Sequence, residues 1–266
     1  MTARVARISI APVKALGLVH PQEVELGPGG VAGDRRFWLV DGGGRLVNNV
    51  RYGRLMQVRP EWDAETRRLR LDFPDGSTVD GVVELGEPVD VALYGEPHPS
   101  RRVVGPWQDA LSALAGTPVR LLYSETGAVD RGARGGGVTV ISRGSLERLG
   151  SELATSEPVD GRRFRMLFEV DGLPAHAEDD WIGARIGLGE AEIDIGGDVG
   201  RCAVTTRDPD SGTRDLDTLA ALAQYRREGR FEPLPFGVYG AVAKPGRVRV
   251  GDPVTRPRAA HTSRSG

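Results

Sequence analysis

Leu69-Arg70-Leu71-Asp72-Phe73-Pro74-Asp75-Gly76-Ser77-Thr78 alternates apolar and polar side chains as far as Phe73, turns on Pro-Asp-Gly-Ser, and sets off again at Thr78. Period-two alternation puts one row of side chains on each face of an extended chain, so the stretch predicts a β-hairpin whose second arm runs to Val83. The pattern recurs upstream. Phe37-Trp38-Leu39-Val40 leads through Asp41-Gly42-Gly43-Gly44 back to Leu46-Val47, with glycine supplying the positive φ of a tight turn. Val5, Ile8 and Ile10, stopped by Ala11-Pro12, mark a first strand. Downstream, short strands around 89–94 and 101–104 continue a β meander. Pro106 then opens a helix with Trp107, Leu111 and Leu114 on one face, closed by Gly116-Thr117-Pro118.

After a strand over 119–123, the stretch 124–137 is rich in glycine and charge and reads as a boundary between two domains. Val138-Thr139-Val140-Ile141 is a strand leading into Ser142-Arg143-Gly144-Ser145 and a helix carrying Leu146, Leu149 and Leu153. Strands follow over 166–170 and 191–195, and Asp215 is expected to cap a helix with Leu216, Leu219 and Leu222 inward. Strands up to Val242 and over 245–254 complete a second β unit. The expected fold is a mostly β, two-domain α+β protein divided into 1–124 and 125–256, with a small polar tail, 257–266, expected to be disordered.

Composition narrows the function. Thirty-seven glycines and 18 prolines among 266 residues suit short strands and turns. One cysteine rules out an internal disulfide framework and a Cys-only zinc site, and the four histidines show no metal-ligand spacing. The formal charge of −2 supplies no long-range field for nucleic acid or an anionic membrane. No apolar run reaches membrane-span length, so a soluble protein in a reducing cytoplasm is expected.

The chemistry concentrates on Gly200-Arg201-Cys202-Ala203-Val204-Thr205-Thr206. A cation next to the cysteine favours the thiolate, the form that attacks electrophiles or binds soft metals, although a lone cysteine by itself is more often an inert buried thiol. Lys14 at a strand end, Asn48, Asn49 and Arg51 after a hairpin, the serines of a helix start, and Arg162, Arg163 and Arg165 are further polar positions. Each also has an ordinary surface or capping role.

Taken in order, these pieces resemble the MOSC family, the molybdenum-cofactor sulfurase C-terminal domains, in the amidoxime-reducing form with an N-terminal MOSC β-barrel domain. The resemblance rests on Ala11-Pro12-Val13-Lys14, Asp34-Arg35-Arg36-Phe37-Trp38, Val140-Ile141-Ser142-Arg143-Gly144-Ser145 and Arg163-Phe164-Arg165. It continues through Ala177-Glu178-Asp179-Asp180-Trp181, Arg201-Cys202-Ala203-Val204-Thr205-Thr206, Phe236-Gly237-Val238-Tyr239 and Gly246-Arg247-Val248-Arg249-Val250-Gly251-Asp252-Pro253. It implies a molybdenum-pterin cofactor (Mo-molybdopterin) with Cys202 as the metal's protein ligand. Lys14, Arg36, Arg51, Ser142, Ser145, Arg165 and Arg201 would contact the pterin or its phosphate, and Tyr239 would join Cys202 at the reacting centre. The implied reaction removes oxygen from N-hydroxylated or N-oxide-like small molecules. Its electrons come from a separate flavin, haem or iron–sulfur protein, since no such motif lies in this chain. Sulfur transfer through a Cys202 persulfide, and a non-catalytic cofactor carrier, are the rival expectations. The chain departs from the family at Met166 and Leu167, where proline and asparagine are usual, and at Gly200, where serine or threonine is usual. A threonine near the pterin-binding arginine is also absent, with Asn48 and Asn49 nearby.

Overall fold

A computed structural model describes residues 2–93, 95–129 and 137–258. Part of the expected interdomain stretch, 130–136, and the tail from 259 lie outside the described residues.

The larger unit is a seven-stranded sheet in the order Arg4–Ile8, Phe168–Asp171, Gly137–Ser142, Pro235–Lys244, Ala191–Gly200, Arg185–Leu188, Val254–Arg258. Its one parallel pair joins Gly137–Ser142 to Phe168–Asp171, and helix α2 (Arg143–Glu152) supplies the crossover that parallel strands require. The sheet then curls until its ends meet. Val5 N–H donates to Asp252 O (2.9 Å), Gly251 N–H to Val5 O (2.8 Å) and Val254 N–H to Ala3 O (2.8 Å), so the first strand nearly closes a barrel and satisfies both of its edges. The barrel core packs Val5 and Ile8 with Val138, Val140, Phe168, Ile193, Val238 and Val254.

The chain's first strands therefore belong with its second half. Glu23–Gly27 pairs with Gly246–Arg249 as well as with Gly30–Val31, so the strands Arg4–Ile8, Glu23–Gly27 and Gly30–Val31 cross the division expected at 124, while Val13 and Leu16 between them pack in the core of the other unit.

The second unit holds a four-stranded sheet, Phe37–Asp41, Val119–Ser124, Ser100–Val104, Glu84–Val89, and the meander Arg59–Asp63, Arg68–Asp72, Thr78–Val82. Leu69 and Leu71 turn inward and Arg70 outward, as their alternation requires. The α-helix of this unit, α1 (Trp107–Ala115), lays Trp107 and Leu111 on that core, with the Trp107 indole N–H donating to Leu69 O at 3.0 Å.

Two expectations change in detail. Helix α3 (Thr218–Tyr225) starts later than predicted, and Asp217 caps it by accepting from Ala220 N–H at 3.1 Å. Asp215 instead receives both ends of the Arg163 guanidinium, at 2.7 and 2.6 Å. The last strand runs through Arg258, two residues into the stretch read as tail.

Candidate functional site

Cys202 stands where the strand Ala191–Gly200 gives way to the 3-10 turn Ala203–Thr206. Its carbonyl accepts from Thr205 N–H (3.2 Å) and Thr205 Oγ1 (3.1 Å), and Thr205 Oγ1 in turn meets Thr218 Oγ1 of α3 at 2.7 Å. The backbone of the cysteine is thus tied to a helix, while its thiol takes no part in the cap and the residue is exposed.

The neighbouring Arg201 faces the protein. Its guanidinium donates from Nε to Phe236 O (2.8 Å), from Nη1 to Phe164 O (3.2 Å) and from Nη2 to Met166 Sδ (2.9 Å), and it lies 5.3 Å from the Phe164 ring centroid. Planar donors in a fixed fork suit this convergence of carbonyls. It also accounts for Met166, whose thioether accepts where the family carries proline. Leu167 is buried in the barrel core.

Cys202 opens onto a cleft of about 670 Å³ between the two units, lined also by Lys14, Arg35, Asn48, Asn49, Arg163, Arg165, Arg201 and Tyr239. Arg165 occupies the left-handed region at φ 53°, costly for a side-chain-bearing residue. Contacts from the smaller unit hold it: Arg35 Nη2 donates to Arg165 O, and Arg165 Nη2 to Leu16 O, both at 2.8 Å. Arg35 is also ion-paired to the buried Asp34, which accepts from Ala11 N–H at 2.7 Å. Asn49 anchors the opposite wall by donating to Ala15 O (2.5 Å), and Arg207 Nη2 reaches Val50 O at 2.7 Å.

The structure brings Lys14, Arg165, Arg201, Cys202 and Tyr239 together, and leaves four expected residues out. Arg36 turns away from the cleft onto the Tyr123 ring, 4.7 Å from its centroid, because the chain reverses at Arg35 (φ 48°) and sends successive side chains opposite ways. Arg35 takes its place. Arg51 is exposed over the Tyr52 ring at 5.5 Å, and the cleft wall there is Asn48, Asn49 and Val50. Ser142 and Ser145 are fully buried: Ser142 caps α2 by accepting from Ser145 N–H (3.1 Å), and Glu178 Oε1 accepts from Ser142 N–H (3.1 Å) and Ser145 Oγ (2.7 Å). Burial pushes the Glu178 carboxyl above its ordinary range, against these hydrogen bonds, and Oε2 has no hydrogen-bond partner among the described residues.

Two acidic residues escaped sequence reasoning. Asp198 lies in a strand whose alternation carries no mark of it, and Glu232 sits in the irregular segment 226–234, yet both line the cleft. Asp198 is buried and accepts the amides of Arg230, Phe231 and Glu232 at 2.5, 3.1 and 2.8 Å. Gly200 is required there: a Cβ on it would stand 2.8 Å from Glu232 Cβ and 2.9 Å from Pro233 O.

Fold and site define a two-unit β-barrel protein with a single exposed thiol at the edge of a cation-lined interdomain cleft. The chain belongs to the MOSC family: the MOSC domain model matches residues 130–255 and the MOSC N-terminal beta barrel domain model residues 2–94. It is 27% identical to human mitochondrial amidoxime-reducing component 1, over 94% of this chain and 82% of that one. It is 28% identical to the rice molybdenum cofactor sulfurase, over 83% of this chain but only 30% of the relative, and 37% identical to mouse mitochondrial amidoxime-reducing component 1 over 43% and 35%. The chain thus spans about a third or less of the rice and mouse relatives over the matched regions. Among solved structures, the YUAD protein of Bacillus subtilis covers 96% of this chain and 94% of its own at 12% identity and a TM-score of 0.46. No helix among the described residues is long and apolar enough to cross a membrane.

Proposed function

We propose that this chain is a molybdenum-cofactor oxidoreductase of a reducing cytoplasm. It would remove oxygen from N-hydroxylated or N-oxide-like small molecules, with electrons from a separate flavin, haem or iron–sulfur protein. The observation that carries the reading is an exposed Cys202 facing the same cleft as Lys14, Arg35 and Arg165. Among the described residues no three of His, Cys, Asp and Glu come together, so a metal beside Cys202 would take most of its donors from a group that brings its own. A dithiolene pterin does so. A thiolate matches molybdenum's softness, and the phosphate of a pterin suits converging Lys and Arg side chains. When bound, the cofactor supplies two-electron oxygen-atom transfer; the chain supplies the rest. Cys202 provides a ligand on a backbone already fixed by Thr205, Lys14, Arg35 and Arg165 receive the anion, and Asn48 and Asn49 offer amides to the pterin ring. Tyr239 presents a phenol to the cleft.

One observation favours a second reading, sulfur transfer through a Cys202 persulfide: the thiol is accessible and makes no cap bond, as that chemistry needs. Protein made in a host competent for molybdenum-cofactor synthesis separates the two. The expected result is near-stoichiometric molybdenum and pterin, with a changed metal spectrum in Cys202→Ala. Absence of both from the wild type would overturn the proposal in favour of the persulfide. Loaded protein without turnover on any N-hydroxylated probe, given an artificial donor, would make it a cofactor carrier.

A further inference from the structure

The chain that follows α3 folds back on itself. Leu234 N–H donates to Arg227 O at 3.2 Å, Glu228 and Pro233 bridge in antiparallel register, and Gly229 lies so near the Glu232 carbonyl that a Cβ there would collide with it. Residues 227–234 are thus a small hairpin with bonds of its own. Its ties to the barrel sit at two ends. At the base, Arg226 Nε donates to Pro235 O (2.8 Å) and Nη2 to Asp179 Oδ2 (2.7 Å), and the half-buried Leu234 packs on the core around Phe164 and Phe236.

At the tip, the buried Asp198 carboxylate of the strand Ala191–Gly200 accepts the amides of Arg230 (2.5 Å), Phe231 (3.1 Å) and Glu232 (2.8 Å). Apolar packing adds little at this end. Phe231 rests an edge on the strand at Gly197, where a Cβ would stand 3.0 Å from its Cδ2, yet the residue is 55% exposed, and Pro233 is exposed as well. Segments with few buried apolar contacts are those that open independently of the fold around them. A pivot lies at the base: Leu234 is held at φ 51°, a strained value for a residue with a side chain, immediately before the strand Pro235–Lys244. The hairpin also stands between two cavities. Glu232 and Pro233 line the Cys202 cleft, Gly229 and Arg230 line a pocket of about 240 Å³ on the other side, and Asp198 lines both.

We propose that the hairpin 227–234 is a lid on the Cys202 cleft that lifts as one piece, and that Asp198 is the positioning residue that latches it shut. Release of the three amides frees the tip, joins the side pocket to the cleft, and admits molecules too large for the closed mouth. The lid does not rest on the oxidoreductase reading, because it governs entry whatever group the cleft holds.

The test uses the whole chain, purified without cofactor, in two measurements. Amide hydrogen exchange, read residue by residue by NMR, should show Arg230, Phe231 and Glu232 exchanging together in the wild type, faster than Val238 and Gly240 of the barrel. Asp198→Asn should speed those three about tenfold or more, the factor for losing one charge-assisted hydrogen bond, and leave the barrel amides unchanged. The same variant should accelerate modification of Cys202 by the bulky fluorescein maleimide by a similar factor, with the rate for the small methyl methanethiosulfonate unchanged. Lid amides that exchange only at the barrel's rate in the wild type would overturn the proposal. So would equal acceleration of both reagents in Asp198→Asn, which is general loosening, or acceleration of neither. Should Asp198→Asn not fold, Arg226→Lys loosens the base with the latch intact. Its bulky-to-small rate ratio should rise several-fold, and an unchanged ratio would overturn the lid.

Discussion

Replacing Arg201 by lysine tests whether this arginine holds the site's frame or the proposed cofactor. The guanidinium satisfies Phe236 O and Phe164 O, reaches Met166 Sδ and lies over the Phe164 ring. A lysine ammonium keeps the charge but not the fork, and from that position holds one of the two carbonyls. Losing one charge-assisted hydrogen bond removes about 1.5–3 kcal/mol. The lost stacking adds about 0.5–1 kcal/mol. The sum, about 2–4 kcal/mol, corresponds to a melting point lowered by roughly 5–12 °C for a chain of this size. Thermal unfolding of cofactor-free Arg201→Lys should show that drop, and the rate at which an aromatic disulfide modifies Cys202 should change several-fold as the strand end loosens. An Arg201→Lys protein that melts with the wild type and keeps its thiol reactivity would refute the framing role.

Gly200→Thr, which restores a residue type usual in the family, should destabilise this chain because its Cβ meets Glu232 Cβ and the Pro233 carbonyl. The expected readouts are a lower melting point and faster proteolysis within 226–234. His176 is pushed down to about 4 by burial and by the charges of Arg226 and Arg148, so it is neutral in the folded protein at pH 7. Its folded value lies below the unfolded 6.5, so stability is lost as pH falls from 6.5 toward 4. The full shift would be worth about 3 kcal/mol, and partial exposure reduces this to roughly 1–2 kcal/mol. Denaturant titrations of His176→Gln should show that much less acid sensitivity over the same window.

The hairpins were legible because each arm's burial is written in adjacent residues: Leu69, Leu71 and Phe73 alternate with arginine and aspartate whatever lies around them. Cys202, Lys14, Arg165 and Tyr239 were legible through family motifs, and the fold gathers all four. The choice of Arg35 over Arg36 depends on a backbone reversal that the dipeptide does not encode. Ser142 and Ser145 looked like an anion cradle because a free helix start and a buried cap have the same sequence; only the position of Glu178, 33 residues after Ser145, distinguishes them. Asp198 and Glu232 were unreadable for a similar reason, since each gains its meaning from the other's segment.

The strand that closes the barrel has a consequence for how the protein is made. Arg4 pairs with Asp171 and Val5 also bonds Asp252, so the first strand must wait until residues as far on as Asp252 have been made. At about 5–20 residues per second, that wait is on the order of ten seconds to a minute. Meanwhile the smaller unit, built from 37–124, has all its strands in hand. Cys202, just past the end of a strand of the unclosed sheet, cannot face a finished cleft until Tyr239 and the closing segment at Asp252 have been made. On the proposed function a cofactor would load only after Asp252 has been made, and the apolar face of the first strand is what a chaperone would meet on the nascent chain.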